Sequence, residues 1–354
     1  MQMRRLGRTD LQVSCIGCGG IPIFRAAQPE AVKVLRRAMD RGVNYFDTAR
    51  GYDRGGGETR LAEAIKGRRD EVVIGSKAGA RDRDKMMEAI EESLETLGVD
   101  MIDVYKCHGV ITPEDWQRVS GPGGAFEGLV AARGQGKIRH IGLSGHRPEV
   151  LAEAVKTGLV DVLLIPFNFV KDEAASQLFP HTQEHDVGVT IMKPIGGSLF
   201  QHADICLRWV LQHEAVHTIC VGMWKAWEVD QNVVVGGNPE PLNPEEADWL
   251  ADERARWDRE YCRLCYTCPP KCSHDVPARD LMILELNYRR FGMDMMMERG
   301  MGEQVERTSA CQECDGKECG EACAYDLPIR DLMQGLHRTY TPMIQAYHER
   351  QAAR

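Results

Sequence analysis

Short apolar runs alternate with amphipathic segments along most of this 354-residue chain, and this alternation restricts its possible folds more than any other feature. Short runs rich in Val and Ile between turn residues are typical of buried strands, whereas apolar residues three or four positions apart are typical of helices. The strand-like runs are Cys15–Cys18, Val43–Asp47, Val72–Ser76, Met101–Cys107, Ile138–Ser144, Val162–Phe167, Val189–Lys193 and Thr218–Gly222.

Eight strands, each followed by a helical segment, predict a closed (β/α)8 barrel, also called a TIM barrel. A doubly wound open sheet is the alternative. It is disfavoured because the first strand runs into Gly17-Cys18-Gly19-Gly20 and not into a Gly-x-Gly-x-x-Gly motif. The proline-rich segment 238–244 marks a boundary, so we predict a barrel over 1–244 and a mainly α-helical domain over 245–354.

Charge and hydropathy exclude several classes of partner. The net charge of −9 disfavours a general nucleic-acid surface. The apolar runs are too short for a membrane span of about 20 residues, and the start MQMRRLGRTD lacks the apolar core of a signal peptide. The expected location is therefore the cytoplasm, and assembly into a homo-oligomer stays open.

Eight cysteines near the end of the chain form a duplicated module. Both modules run into similar tails, CSHDVPARDLM and CAYDLPIRDLM. In a cytoplasmic chain, tandem cysteine modules indicate metal binding more than disulfides. The first module is Cys262-x2-Cys265-x2-Cys268-x3-Cys272, and the second is Cys311-x2-Cys314-x4-Cys319-x3-Cys323.

The spacing favours two [4Fe–4S] clusters. Cysteines two residues apart, with a fourth after three more, follow the two-cluster ferredoxin pattern, in which the fourth cysteine serves the neighbouring cluster. A structural zinc site is the alternative, but zinc takes four ligands and would leave four cysteines unused. The second module departs from the pattern in its x4 gap, and neither fourth cysteine precedes a proline. The predicted sets are Cys262, Cys265, Cys268 and Cys323 for one cluster, and Cys311, Cys314, Cys319 and Cys272 for the other.

Four polar residues follow successive predicted strands. Asp47 ends the second strand, Tyr52 lies in the following loop, Lys77 ends the third strand and His108 follows the fourth. Singly, such an Asp often caps a helix and such a His is often a structural polar group. Together they suit carbonyl reduction: Tyr52 donates a proton, Lys77 lowers the Tyr52 pKa, Asp47 holds Lys77, and His108 orients the substrate.

These motifs resemble the aldo-keto reductase family over about residues 3–235. The added cysteine modules make the chain similar to that family's iron–sulfur branch, which carries a C-terminal helical ferredoxin-like domain. The resemblance implies an oxidoreductase that interconverts a carbonyl and an alcohol with NAD(P)H. The matching segments include FDTARGY (46–52), GSKAG (75–79), YKCHG (105–109), IRHIGLSGH (138–146) and IMKPIGG (191–197).

The same resemblance implies a nicotinamide site. Its carboxamide end would be formed by Ser144, Gly145 and Asn168, and its adenosine end by the segment from Gly222 to Asn232. Met192 stands where many members stack an aromatic ring on the nicotinamide. Glu228 stands where many members have an Arg for the 2′-phosphate, so NADH is favoured over NADPH, although Lys225 partly offsets that charge and Glu228 could instead be a solvated helix residue. The implied cofactor contacts are Gly20, Ile21, Asp47, Tyr52, Ser144, Gly145, Asn168, Met192, Lys193, Pro194, Ile195, Gly196, Gly222, Met223, Trp224, Lys225, Glu228, Gln231 and Asn232.

Hydride transfer moves two electrons and needs no cluster, so three functions stay open. The chain could be a carbonyl reductase whose clusters stabilise the C-terminal domain. It could instead pass electrons from a ferredoxin-like partner to a substrate at the barrel mouth, with an altered nicotinamide site. Finally, it could be a non-catalytic electron-transfer or docking protein, which the complete set of four polar residues disfavours.

Overall fold

The computed structural model describes residues 1–265, 272–315 and 317–353, which form two compact units, Met1–Glu246 and Ala247–Arg354. The first unit contains a closed barrel of eight parallel strands in the order β10-β3-β4-β5-β6-β7-β8-β9. The barrel prediction is confirmed, and the open-sheet alternative is wrong. The barrel strands are β3 (Ile16–Gly19), β4 (Tyr45–Asp47), β5 (Val73–Ala78), β6 (Ile102–Cys107), β7 (Ile138–Ser144), β8 (Val162–Pro166), β9 (Gly188–Met192) and β10 (Thr218–Gly222).

An N-terminal hairpin, which the sequence did not predict, packs against the interior of the barrel. Its antiparallel strands are β1 (Met3–Arg5) and β2 (Gln12–Ser14). The buried hairpin residues Leu6, Leu11 and Val13 form one apolar cluster with inward-facing strand residues such as Val104 and Leu164. A barrel interior is a packed core and not a pore, and here the hairpin completes that core.

Helices between the strands form the outer layer of the first unit. The Asp82 side chain caps α4 by accepting from the Lys85 N–H at 3.1 Å, and Thr112 caps α5 by accepting from the Asp115 N–H at 3.1 Å. These helices are α1 (Gly20–Arg25), α2 (Gln28–Asp40), α3 (Gly56–Ile65), α4 (Arg83–Leu97), α5 (Pro113–Ser120), α6 (Ala125–Gly134), α7 (Pro148–Lys156), α8 (Ala174–Gln177), α9 (Phe179–Glu184), α10 (Ala203–Leu211) and α11 (Ala226–Gly237).

The second unit is helical and has its own apolar core. Its buried residues include Leu284, Met296, Val305 and Met333, so methionines contribute to the packing of this core, as is usual for a flexible gap-filling side chain. α12 (Pro244–Trp257) spans the division between the units. The helices that follow are α13 (Ala278–Leu281), α14 (Leu284–Glu298), α15 (Met301–Arg307), α16 (Lys317–Ala322) and α17 (Ile329–Ala352).

Among the described residues, none of the helices combines the length and the apolar character that crossing a bilayer requires.

Candidate active site

Three of the four predicted catalytic residues lie at the carboxyl ends of neighbouring strands. Asp47 ends β4, Lys77 is the next-to-last residue of β5, and His108 directly follows β6. In a barrel of parallel strands these ends meet at one face, where active sites of this fold lie. Tyr52 begins a short 3₁₀ helix, Tyr52–Gly55, in the loop after β4. The fold thus brings all four side chains together.

A buried ion pair forms the base of this site. The Lys77 ammonium donates to Asp47 Oδ2 and also to the Thr48 carbonyl at 2.6 Å. The side chains of Lys77 and Asp47 are only 1% and 5% exposed. Burial disfavours the ionised carboxyl, but the Lys106 and Lys77 ammonium groups outweigh it and hold the Asp47 pKa below its usual value.

Hydrogen bonds between loop and strand position Tyr52. The Arg50 N–H donates to the Lys77 carbonyl at 2.9 Å, and the Arg50 guanidinium pairs with the buried carboxylate of Glu58 at 2.9 Å. The Phe24 ring stacks on the Tyr52 ring with centroids 5.1 Å apart. The Lys77 Nζ lies 4.9 Å from the Tyr52 ring centroid. The phenol ring is therefore in contact with both an aromatic ring and an ammonium group.

Burial and the Lys77 ammonium have opposite effects on the Tyr52 pKa. Burial of the hydroxyl raises the Tyr52 pKa, and this effect exceeds the opposing effect of the Lys77 ammonium. The Asp47 carboxylate raises the pKa further, whereas Lys106 lowers it. Lys77 therefore acts in the predicted direction, but burial and the Asp47 carboxylate outweigh it and the net shift of the Tyr52 pKa is upward.

His108 is a neutral imidazole at physiological pH. Burial and the Lys77 ammonium lower the His108 pKa to about 3, so the ring keeps one N–H donor between about pH 5 and pH 8. Its ring centroid lies 6.1 Å from that of Tyr52, nearly perpendicular to it. The two side chains can therefore contact one carbonyl oxygen from two directions.

Sequence reasoning missed Lys106, a second lysine on the same carboxylate. Its Nζ lies 2.9 Å from Asp47 Oδ1, and its side chain is 0% exposed. The available signal was a lysine inside the apolar run of β6, at a position where a parallel strand is buried on both faces.

Side chains expected to hold the carboxamide lie at the ends of β7 and β8. Ser144 is buried, and its Oγ accepts from the Gly109 N–H at 3.0 Å, which orients the hydroxyl. The Asn168 Nδ2 donates to the Lys193 carbonyl at 3.0 Å, while its Oδ1 accepts from the Val170 and Lys171 N–H groups. These bonds fix both polar groups at the barrel face that carries the tetrad, which consists of Asp47, Tyr52, Lys77 and His108.

The segment after β9 turns sharply at the same face. Met192 ends β9, and Lys193 has a left-handed φ of 57°. The predicted contacts Pro194, Ile195 and Gly196 form this turn, with the Gly196 N–H donating to the Lys193 carbonyl at 3.1 Å. Two strands from β9 around the closed barrel, Gly20 follows β3 and begins α1, and Ile21 comes next.

Glu228 caps α11 in addition to any contact with a ligand. Its Oε2 accepts from the backbone N–H of Trp224 and, at 2.9 Å, from that of Lys225. The carboxylate therefore occupies the positive end of the helix dipole. The remaining predicted adenosine contacts lie along the same segment: Gly222 ends β10, Met223 and Asn232 are buried, and Gln231 is exposed.

Seven of the eight module cysteines are among the described residues; Cys268 lies outside them. Burial and the neighbouring thiols of Cys272, Cys314 and Cys319 raise the Cys311 pKa to about 11, so these four side chains lie near one another. They are the four predicted ligands of the second cluster. Within the described ranges, however, no group of three or more His, Cys, Asp or Glu side chains is arranged to hold a metal ion, so the cluster assignment stays a prediction.

A cavity of about 970 Å³ lies away from this site. Its lining includes Val73, which begins β5, and Met101, which precedes β6, together with Arg69 and Arg139. It therefore opens at the amino ends of the strands, opposite Asp47 and Lys77, and has no part in the chemistry of the tetrad.

Comparison with known proteins identifies the family. The aldo/keto reductase family model matches residues 15–204, more than half of the chain. The uncharacterized oxidoreductase YqkF of Bacillus subtilis is 33% identical over 211 residues, which cover 56% of this chain and 66% of YqkF.

Solved structures agree with this result. An aldo-keto reductase from Bacillus halodurans in its holo form has a TM-score of 0.62 and 26% identity, covering 71% of this chain and 96% of that protein. An aldo-keto reductase from Klebsiella pneumoniae in complex with NADPH has a TM-score of 0.61 and 26% identity, covering 72% and 95%. The barrel, the residues at its carboxyl face and the family match lead to one conclusion: the chain belongs to the aldo/keto reductase family and is an NAD(P)-dependent oxidoreductase.

Proposed function

We propose that this chain interconverts a small carbonyl compound and its alcohol at the carboxyl face of the barrel, with Tyr52 as general acid and base. The observation that carries the proposal is the buried Asp47–Lys77 ion pair beside the Tyr52 ring, with His108 across from it. A bound nicotinamide supplies or accepts the hydride; the chain must supply the proton and hold the carbonyl oxygen.

Each residue of the tetrad has a separate task in this reaction. In the reducing direction, the Tyr52 hydroxyl gives its proton to the carbonyl oxygen as charge develops there. The Lys77 ammonium stabilises the phenolate that results, and Asp47 holds Lys77 in place. Neutral His108 donates a hydrogen bond that orients the carbonyl without competing for its proton. The oxidising direction reverses these transfers.

The cofactor site is proposed from the residues at the ends of the later strands. Ser144 and Asn168 provide oriented polar groups for the carboxamide, with Gly145, Met192 and the turn through Gly196 beside them. Glu228 supports a preference for NADH. Its negative charge at the start of α11 repels a 2′-phosphate, and it is fixed there by two backbone N–H groups. NADPH, which the Klebsiella protein binds, is the alternative.

For the second unit, we propose two [4Fe–4S] clusters, as in the iron–sulfur branch of the family. Support comes from the duplicated spacing and from the positions of the thiols. Cys311 and Cys323 belong to the apolar core of the unit, and Cys262, Cys272 and Cys319 pack against it. Thiolates in an apolar setting suit a cluster, whose own charge favours their deprotonated form. Since the chemistry of the tetrad needs no cluster, the simplest role for the two clusters is to stabilise the second unit. The alternative is that they supply electrons from a ferredoxin-like partner.

Replacing Tyr52 by Phe tests the acid–base assignment. The Tyr52→Phe variant retains the ring beside Phe24 and Lys77 but lacks the hydroxyl proton, so kcat/KM for carbonyl reduction should fall about 10²- to 10⁴-fold. NADH affinity, measured by fluorescence titration, should change far less than kcat/KM, because the ring at position 52 remains. The Tyr347→Phe variant on α17 is the matched control and should retain activity. Full activity of Tyr52→Phe on every accepted substrate would exclude Tyr52 as the proton donor.

Cofactor preference tests the role of Glu228. The unmodified chain should bind NADH more tightly than NADPH in parallel titrations. Removing the charge in Glu228→Gln should increase NADPH affinity about tenfold, which corresponds to about 1.4 kcal/mol, while NADH affinity changes little. The exposed Glu214→Gln is the control and should alter neither value. Tighter NADPH than NADH binding by the unmodified chain contradicts the proposed preference.

Metal content tests the cluster proposal. Protein purified without oxygen should contain about eight iron and eight acid-labile sulfide per chain. The Cys311→Ser variant should lose about half of both, whereas Cys206→Ser, a buried thiol of the barrel, should lose none. Zinc in place of iron would favour the structural zinc alternative, and about four iron in the unmodified chain would limit the proposal to one cluster.

A further inference from the structure

Lys106 is a charged side chain that the proposed mechanism does not use. It lies inside the barrel on β6, fully buried, with its Nζ 2.9 Å from Asp47 Oδ1. Asp47 therefore accepts from two ammonium groups, Lys77 on one carboxylate oxygen and Lys106 on the other.

The neighbouring strands leave room for this side chain by carrying glycine where any other residue would collide with it. A Cβ atom at Gly75 on β5 would lie 2.6 Å from the Lys106 Nζ. A Cβ atom at Gly142 on β7 would lie 2.5 Å from the Lys106 Cγ. Contacts this short do not occur between real Cβ atoms and their neighbours, so both strands accommodate Lys106.

Ion pairing alone does not account for Lys106. Lys77 already neutralises Asp47, and a second buried ammonium adds a net positive charge whose removal from water is unfavourable. The groups around Lys106 are Asp47, Tyr45 and Cys220, and its charge also acts on Tyr52 and His108. Lys77 shares the Asp47 carboxylate with it. The Tyr45 ring centroid lies 5.6 Å from the Lys106 Nζ. Among these groups, Asp47 supplies the negative charge, and two lysines share it.

The shared charge bears on Tyr52 through Lys77. An ammonium has three hydrogens; those of Lys77 go to Asp47 and the Thr48 carbonyl, and the third can reach the Tyr52 hydroxyl. Because Lys106 binds the other carboxylate oxygen, the negative charge of Asp47 offsets less of the positive charge of Lys77. The Asp47 carboxylate raises the Tyr52 pKa, and both ammonium groups lower it.

We propose that Lys106 is a positioning residue for hydride transfer, which binds the second oxygen of Asp47 so that the Lys77 ammonium acts on the Tyr52 hydroxyl. This inference rests on the proposed function of the tetrad. In this proposal Lys77 and Lys106 share the Asp47 carboxylate, and Lys106 lies on β6, the strand that precedes His108.

The Lys106→Met variant tests this inference because Met fills similar space without charge. Without that charge the Tyr52 pKa rises, and alcohol oxidation requires the phenolate. The midpoint of the ascending pH profile of kcat should therefore move upward by about one pH unit. The KM for the cofactor should stay unchanged. The exposed Lys156→Met is the control and should keep the original midpoint. A uniform loss of kcat at every pH, with the midpoint unchanged, would show a merely structural role and overturn the inference.

A second variant covers the case in which Lys106→Met does not fold. Gly142→Ala keeps every charge but places a methyl group against the Lys106 Cγ, so it should move the midpoint in the same direction. An unchanged midpoint in a folded, active Gly142→Ala protein overturns the inference. Tyr52→Phe separates the two claims: if it abolishes turnover while the Lys106→Met midpoint stays in place, the proposed function survives and the inference fails.

Discussion

The buried ion pair between Asp47 and Lys77 is the interaction on which the account of this site depends. Two charges that are almost fully removed from water are tolerated only when each is well paired and hydrogen-bonded. Asp47 meets this condition through two lysines, and Lys77 through Asp47 and the Thr48 carbonyl. Because this pair is fixed by strands β4 and β5, it provides a rigid charge beside the mobile proton of Tyr52.

The surrounding structure holds the other groups relative to that pair. The loop after β4 is tied to β5 through Arg50, which places the Tyr52 ring against Lys77. The same positive environment, together with burial, keeps His108 neutral, so one set of charges assigns proton transfer to the tyrosine and hydrogen bonding to the histidine. The environment thus raises the Tyr52 pKa and lowers the His108 pKa, and this separation assigns the two residues their different roles.

Much of the barrel and the tetrad could be predicted from the sequence because each signal is local. Apolar runs mark the strands, and a polar residue at the end of a run marks the catalytic face, as at Asp47 and Lys77. Lys106 was missed because a lysine within a strand resembles an outward-facing residue until the closed barrel shows that both faces are buried. The net rise of the Tyr52 pKa and the helix-capping bonds of Glu228 depend on burial and on interatomic distances, which cannot be deduced from the spacing of residues along the sequence.

The most direct test of the central claim is titration of the Tyr52 phenol itself. Tyrosine labelled with carbon-13 at Cζ reports the ionisation of each phenol by nuclear magnetic resonance, and Tyr52→Phe identifies the Tyr52 signal. If the Asp47–Lys77 pair controls the proton of Tyr52, the Lys77→Met protein should show this signal ionising at higher pH than the unmodified protein, since the stabilising ammonium is lost. An identical titration curve in the two proteins would contradict the account.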